Sequence, residues 1–315
     1  MFRRWLSNFY RKNKGKIASF AKIFGILILI GIALARSIGN KSNNNESNSQ
    51  TSVYTPTKTI ISGDNIDKET YKQEENLVKT FVEYCNNQQI QEAYNLLTNE
   101  CKEKIYPNVE AFKNNYYDVI FNQNRECNLQ SWVATGNYDT YKVRFTEDIM
   151  STGVYDGTEK YEDYITVVTK ENEKKLNING YVKTEEMDKT TKTDEVEAQA
   201  LNVDTYINYV IYNVKIKNIT EKDILLDSLS STNNNIKLIG SNNASYKLSS
   251  KNLSISRLKI SPNENKNIEL RFIKDYGSDV YGEAIQFGKF IKDYDEYKNE
   301  KEDYNSFVEL KIKLK

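Results

Sequence analysis

Acid–base and nucleophilic chemistry near neutral pH runs most often through histidine, and this chain of 315 residues contains none. That removes the histidine-assisted serine or cysteine nucleophile and the histidine-ligated zinc or copper site. Three cysteines remain, Cys85, Cys101 and Cys127, too few and too widely spaced for a cysteine zinc site. Outside a membrane a disulfide is permitted. A helix expected from Ile90 to Cys101 separates Cys85 from Cys101 by about 16 Å at 1.5 Å per residue. That exceeds disulfide reach, so a bridge would have to use Cys127, and three buried free thiols is the reading the sequence favours.

Carboxylates and tyrosines are the other candidates. Glu147, Asp148, Asp156, Glu162 and Asp163 fall near expected turns and strand ends. Paired carboxylates act as acid and base only at a fixed separation and with at least one shifted pKa. Spacing alone gives neither, so these residues are read as solvated turn positions. Asp293-Tyr-Asp-Glu296 and Glu300-Lys-Glu-Asp303 offer oxygen ligands to calcium but lack the regular spacing of a calcium loop. The glycines are isolated and form no phosphate-binding loop. The sequence therefore assigns no catalytic residue, no cofactor-binding residue and no metal ligand, and the expectation is a protein without a cofactor that is not an enzyme.

The elements that would position any such residue begin after an apolar run, Ile23–Ala35, read as IFGILILIGIALA. A membrane span needs about 20 mostly apolar residues. Ile17–Phe20 extends the run backwards, and the interrupting Lys22 can snorkel to the headgroups. Arg3, Arg4, Arg11, Lys12, Lys14 and Lys16 precede it, with no acidic residue before Glu46. The positive-inside rule then keeps the N-terminus cytoplasmic and places the residues after Ala35 outside, a single-pass topology at the cell membrane with extracellular C-terminal domains. Trp5, Phe9 and Tyr10 can lay the leader on anionic lipid. Two alternatives stay open: cleavage after Ala35, since Ala33-Leu34-Ala35 has the form of a signal-peptidase site, and a buried core helix. Residues 1–36 are thus a basic tail and signal anchor whose partner is membrane lipid. Residues 37–67, rich in Asn and Ser, are expected to be a disordered linker. The net charge is zero with a basic leader, so the remainder is mildly acidic, which argues against nucleic acid as a partner. The 23 tyrosines and many asparagines fit an AT-rich genome as well as a contact surface.

Residues 68–183 read as helices followed by strands, an α+β pattern. Lys68–Asn86 carries Leu77, Val78, Phe81, Val82 and Cys85 on one face, and a second helix carries Ile90, Ala93, Tyr94 and Leu97. Pro107 breaks the chain. Asn108 then caps a third helix that buries Val109, Phe112, Tyr116, Val119 and Ile120. Strands are expected at Leu129–Thr135, at Tyr141, Val143 and Phe145, at Ile149–Tyr155 and at Tyr164–Thr169. A turn at Glu171–Glu173 leads into the alternation of Leu176, Ile178 and Tyr181. Phe81, Tyr116 and Trp132 are the expected core aromatics. Residues 184–200 are charged and Thr-rich and are expected to be a linker. Residues 201–315 read as short strands between frequent turns, the pattern of a β-sandwich: Tyr206–Lys217, Ile224–Leu229, Ile236–Ile239, Leu253–Ile260, Ile268–Ile273 and the alternation from Val308.

The segments EAYNLLTNECK, VEAFKNNY and DYITVV…NEKKLNINGYV resemble extracytoplasmic bacterial members of the nuclear transport factor 2-like fold, a cone of helices against a bent sheet. VKIKNITEKDILLD…LKISPNENKNIELRF resembles the immunoglobulin-like domains of Gram-positive envelope proteins. The first resemblance implies a cone that often encloses a pocket, with Asp, His or Tyr as acid or base in its enzymes. It also implies kinship with single-span assembly proteins of conjugative and type IV secretion machines, with a sandwich in place of a second cone. The expected function is a non-catalytic interaction or assembly module of the envelope with protein partners. A ligand-binding or catalytic cone, and a cell-wall-binding or sensor module, are the alternatives. Nothing in the sequence indicates an oligomeric state.

Overall fold

Among the described residues, Asp67 starts the first helix by accepting hydrogen bonds from the backbone N–H groups of Glu69 and Thr70 at 2.9 and 3.0 Å. That helix, α1 (Lys68–Asn86), turns Tyr71, Glu74, Val78, Phe81, Val82 and Cys85 inward. The computed structural model describes residues 57–62, 64–147, 161–229, 235–241, 244–249, 253–278, 280–300 and 303–314. The expected anchor at Ile23–Ala35, the cleavage site at Ala35, the strand at Ile149–Tyr155 and the carboxylates Asp148 and Asp156 all lie outside these residues. Among the described residues no helix is long and apolar enough to cross a membrane.

After α1 the helices are short. The single helix expected from Ile90 to Cys101 is two, α2 (Ile90–Asn95) and α3 (Asn99–Lys104). A sheet edge divides them. Leu97 forms a parallel bridge with Leu176, and the Thr98 N–H donates to the Leu176 carbonyl at 3.0 Å. The Thr98 hydroxyl then caps α3 by accepting from the Cys101 N–H. The third helix is α4 (Val109–Phe112), which passes through a π-turn at Lys113–Tyr117 into α5 (Asp118–Ile120). The wider turn rotates the following residues, so Tyr116 stays buried while Val119, expected inside, is 51% exposed.

Four strands follow in a meander, β1 (Arg125–Thr135), β2 (Tyr138–Glu147), β3 (Tyr161–Lys170) and β4 (Glu173–Asn177), antiparallel and in sequence order. Glu171 and Asn172 both have positive φ, as a two-residue hairpin between right-twisted strands demands. The inner face of this sheet packs on the helices around Phe81, whose ring lies 6.1–6.4 Å from those of Phe112, Tyr116 and Phe121. Trp132 does not join this core. It is the extra residue of a β-bulge between Ser131 and Val133, which sends it to the outer face, half-buried, 5.3 Å from Tyr164. The C-terminal part of the expected linker at 37–67 is also ordered. Lys58 pairs with Asn65, and Ile60 and Ile61 donate to the carbonyls of Ser131 and Trp132.

The expected linker at 184–200 is a hairpin. Tyr181–Lys192 (β5) and Val196–Tyr206 (β6) pair antiparallel and continue into β7 (Tyr209–Asn218). Its charges sit on the outer positions of strands, while Val196, Ala198 and Ala200 face inward; a charged and Thr-rich composition does not distinguish that from a linker. After β8 (Ile224–Leu225) come β9 (Ile236–Gly240) and β10 (Ser245–Lys247). The strand expected at Leu253–Ile260 is instead α6 (Ile255–Leu258), capped by Ser254, followed by the short β11 (Lys259–Ile260). The chain ends with β12 (Asn265–Ile273), β13 (Gly282–Phe290), α7 (Tyr294–Asn299) and β14 (Val308–Lys313). The sheets are ordered β12-β7-β6-β5 and β10-β9-β13-β14. One hydrophobic cluster joins Ala198, Val214, Leu270 and Phe272 to Leu238, Ile285, Phe287 and Ile312.

The expected fold class is therefore corrected. The described part of the chain is mostly β, and Thr55–Lys315 forms one compact unit rather than an α+β cone joined by a linker to a separate sandwich. The deciding stretch is 184–200, whose strands extend the β region without interruption. The backbone joins the two regions closely: Gly180 N–H donates to the Tyr164 carbonyl, Ile207 N–H to that of Gly180, and Gly277 N–H to that of Ile207.

Candidate functional site

Of the carboxylates noted in the sequence, Asp163 alone is buried among the described residues; Glu162 and Glu147 are surface residues with side-chain partners. Strand β3 points Asp163 at the helices. One oxygen, Oδ2, accepts from the Tyr116 hydroxyl at 2.8 Å and the Asn179 N–H at 2.9 Å, and Oδ1 accepts from the Tyr164 N–H at 2.7 Å. Burial lifts its pKa to about 6, against the opposing pull of these donors. The surrounding space is filled by Tyr106, Phe112 and Tyr116, so this is a satisfied core carboxylate. Glu162 is held below the usual carboxylate range by Lys142 and Arg144.

A second centre has no counterpart among the residues singled out in the sequence. Glu74, fully buried on α1, accepts from the Tyr141 hydroxyl of β2 at 2.5 Å and from Lys174 of β4. Asp139, two residues before Tyr141 on the same strand face, bonds to Glu74 and has its pKa pushed up to about 7, first by desolvation and then by the charge of Glu74. These groups fasten α1 to the sheet. Their sequence signal is a carboxylate inside an apolar stripe, with Glu74 four residues before Val78 and three after Tyr71.

The cysteines are free thiols. Cys85 and Cys101 are buried and Cys127 partly so, and desolvation raises the pKa of all three, that of Cys101 to about 12 and that of Cys127 to about 11. Of the acidic clusters considered for calcium, Asp293 caps α7 and binds Lys222 at 2.6 Å. Among the described residues no group of three or more Cys, Asp or Glu is arranged to hold a metal ion.

The open site lies on the outer face of the β6–β7–β12 sheet. It is a groove of about 680 Å³, a size usual for ligand sites, walled by Lys104 from α3 and by Leu253 and Arg257 at α6. A β-bulge creates its polar floor. Val196, Ala198 and Ala200 face the core, and strict alternation would send Asn202 and Asp204 after them. The register slips between Ala200 and Asn202, so these two residues turn to the outer face opposite Asn213 and Ile211. Asp204 is nearly buried there, and Lys104 lies 3.0 Å from its carboxylate. Thr184 Oγ1 donates to it at 2.6 Å and Asn213 Nδ2 at 3.0 Å; the same Nδ2 reaches Asn202 Oδ1 at 2.5 Å. The charge pair and amides are thus locked in place before any ligand arrives. The alternation of Asn202, Asp204 and Tyr206 is visible in the sequence at the start of the region read as short strands, but the register slip that turns Asn202 and Asp204 outward is not.

No family model matches this sequence, and no curated protein matches it. Two solved structures are similar to parts of it. The crystal structure of the YjhA protein from Bacillus subtilis is 14% identical over 41% of this chain and 99% of its own, with a TM-score of 0.29. A conserved hypothetical protein from Bacillus anthracis is 14% identical over 42% of this chain and 96% of its own, with a TM-score of 0.23. Similarity at that level carries no argument about the fold or function of this chain.

Proposed function

We propose that this chain is a non-catalytic interaction protein of the bacterial cell envelope, tethered through its basic leader and apolar run and presenting the region after residue 57 to a partner. One contrast carries the reading. The carboxylates best suited to chemistry, Asp163 and Glu74, are committed to hydrogen bonds inside packed cores, whereas the preformed polar groove opens to the surface. Membership in a conjugation or secretion assembly is a narrower form of the proposal and rests on the sequence resemblance alone. An acid–base enzyme is the second reading, favoured by the raised pKa of the half-buried Asp139.

Site-specific photo-crosslinkers placed at Asn267 in the groove and at the exposed Tyr276, in intact cells, test the proposal. Capture of a defined envelope protein from either position is the expected result. The reading fails if a substrate is found whose turnover is lost in Asp139→Asn while the melting temperature is unchanged.

A further inference from the structure

The outer face of the β1–β2–β3 sheet carries a second surface, apolar where the groove is polar. Given a chain tethered to a membrane, as proposed above, we infer that this face lies on the lipid surface through Ile60, Ile61, Trp132, Tyr164 and Tyr276.

The residues converge from distant parts of the chain. Among the described residues six large hydrophobic side chains are exposed, and Ile60, Ile61 and Tyr276, at 46, 44 and 50%, come from two segments that meet at Trp132. Trp132 lies 5.3 Å from Tyr164, and Tyr164 lies 5.8 Å from Tyr276. Ile61 closes the patch: a Cβ on Gly277, next to Tyr276, would lie 3.2 Å from both Ile61 Cγ1 and Trp132 Nε1. A contiguous exposed apolar patch marks an interaction site. Tryptophan and tyrosine set among aliphatic side chains are the residues of the membrane interface, where each ring keeps its apolar body at the acyl boundary and its polar tip among the headgroups.

The isoleucines are held in place before any contact. Lys58 pairs with Asn65, the Thr59 N–H donates to the Asp64 carbonyl at 2.9 Å, and the hydroxyls of Thr59 and Ser62 bond at 2.8 Å. The N–H groups of Ile60 and Ile61 donate to the Ser131 and Trp132 carbonyls at 3.2 and 3.0 Å. These polar groups are satisfied within the protein while the two apolar side chains are left exposed. A fixed loop of this kind loses little further backbone freedom when its side chains are covered.

The position of the tether selects lipid as the cover. Ile60 follows Ala35, the end of the apolar run, by 25 residues. A chain of that length and Asn- and Ser-rich composition spans about 25–30 Å root-mean-square. A compact unit of the length of Thr55–Lys315 is about 45 Å across. The tether is shorter than the breadth of the unit it holds, so the face it enters, which bears Ile60 and Ile61, is kept against the bilayer.

Trp5 and Trp132 are the only tryptophans, so Trp5→Phe makes Trp132 a single reporter. The full chain with that change is reconstituted in vesicles of phosphatidylcholine and phosphatidylglycerol, with and without dibrominated phosphatidylcholine, which quenches only tryptophan in contact with it. Bromolipid should quench Trp132, and the quenching should be lost when Ile60→Ser and Ile61→Ser are added, and reduced by Tyr276→Ser. Val119→Ser, an exposed position on α5 across the sheet, should leave it unchanged. Circular dichroism melts check that each variant folds. The inference is overturned if the chain floats with the vesicles while Trp132 stays unquenched, or if quenching survives the paired isoleucine changes; the tether stands in both cases. A chain that does not float with the vesicles sinks the tether itself. Capture of an envelope protein by a crosslinker at Tyr276 in cells would make the patch a protein site, overturning lipid as its cover and leaving the interaction protein.

Discussion

Tyr116→Phe removes one oxygen and leaves the ring stacked on Phe112 at 5.7 Å and against Phe81 at 6.1 Å. What it takes away is the hydroxyl that donates to Asp163 at 2.8 Å. Burial raises the pKa of Asp163 from 3.8 to about 6, and that shift amounts to about 3 kcal/mol. Because the folded value lies above the unfolded one, the stability linked to this group is fully present below 3.8 and is lost as pH rises through about 6. Above that pH the fold carries a buried anion that needs each of its donors. A hydrogen bond to a charged partner is worth about 1.5–3 kcal/mol, against about 0.5–1.5 for a neutral pair. The variant should therefore lose more stability at pH 7.5 than at pH 4.5, by about 1–2 kcal/mol on the difference between those ranges. Urea unfolding of parent and variant at both pH values reads this directly. A carbon-13 titration of the Asp163 carboxyl should show its midpoint displaced upward by roughly one pH unit, the equivalent of about 1.4 kcal/mol. Equal losses at the two pH values, or a larger loss in acid, would refute the claim that a buried carboxylate is held by this donor.

The packing makes two further changes measurable. Gly277 has φ +77°, and a Cβ there would lie 2.6 Å from Val133 Cγ2 and 3.2 Å from Trp132 Nε1, so Gly277→Ala should lower stability by about 2–4 kcal/mol in a thermal or urea melt; a melt within about 0.5 kcal/mol of the parent would contradict the close contact. The thiols of Cys85 and Cys101 should resist Ellman's reagent in the folded protein at pH 8, with Cys127 reacting slowly and all three at once in denaturant; fast labelling of Cys101 would show that its region opens.

How far local pattern reaches is visible at particular elements. The helix Lys68–Asn86 is legible because its stripe, its Asp67 cap and the polar turn after it all agree. The Glu171–Asn172 hairpin is legible because a polar pair divides two β-prone runs. The division at Leu97 is not, since the Ile90–Cys101 pattern is uniform and the interruption comes from a β strand reaching it from 79 residues later in the chain at Leu176. The strand β13 escapes sequence reading because its apolar residues, Ile285, Phe287 and Phe290, shift phase at a bulge. The hairpin over 184–200 escapes it because exposed strand positions and linkers use the same charged and Thr-rich residues.

The sequence by itself determined the chemical inventory: no histidine, three cysteines, an apolar run behind a basic leader, and a body able to form helices and strands. Composition and short-range periodicity are properties of neighbouring residues, so they can be read without a fold. Tertiary structure alone decided which carboxylates are buried and which surface is open. Glu74 meets Tyr141 and Lys174 across separations of 67 and 100 residues, and Lys104 meets Asp204 across 100. The groove itself depends on a one-residue slip at Leu201, because strand side chains alternate with a period of two and a single extra residue moves Asn202 and Asp204 from the core face to the solvent face.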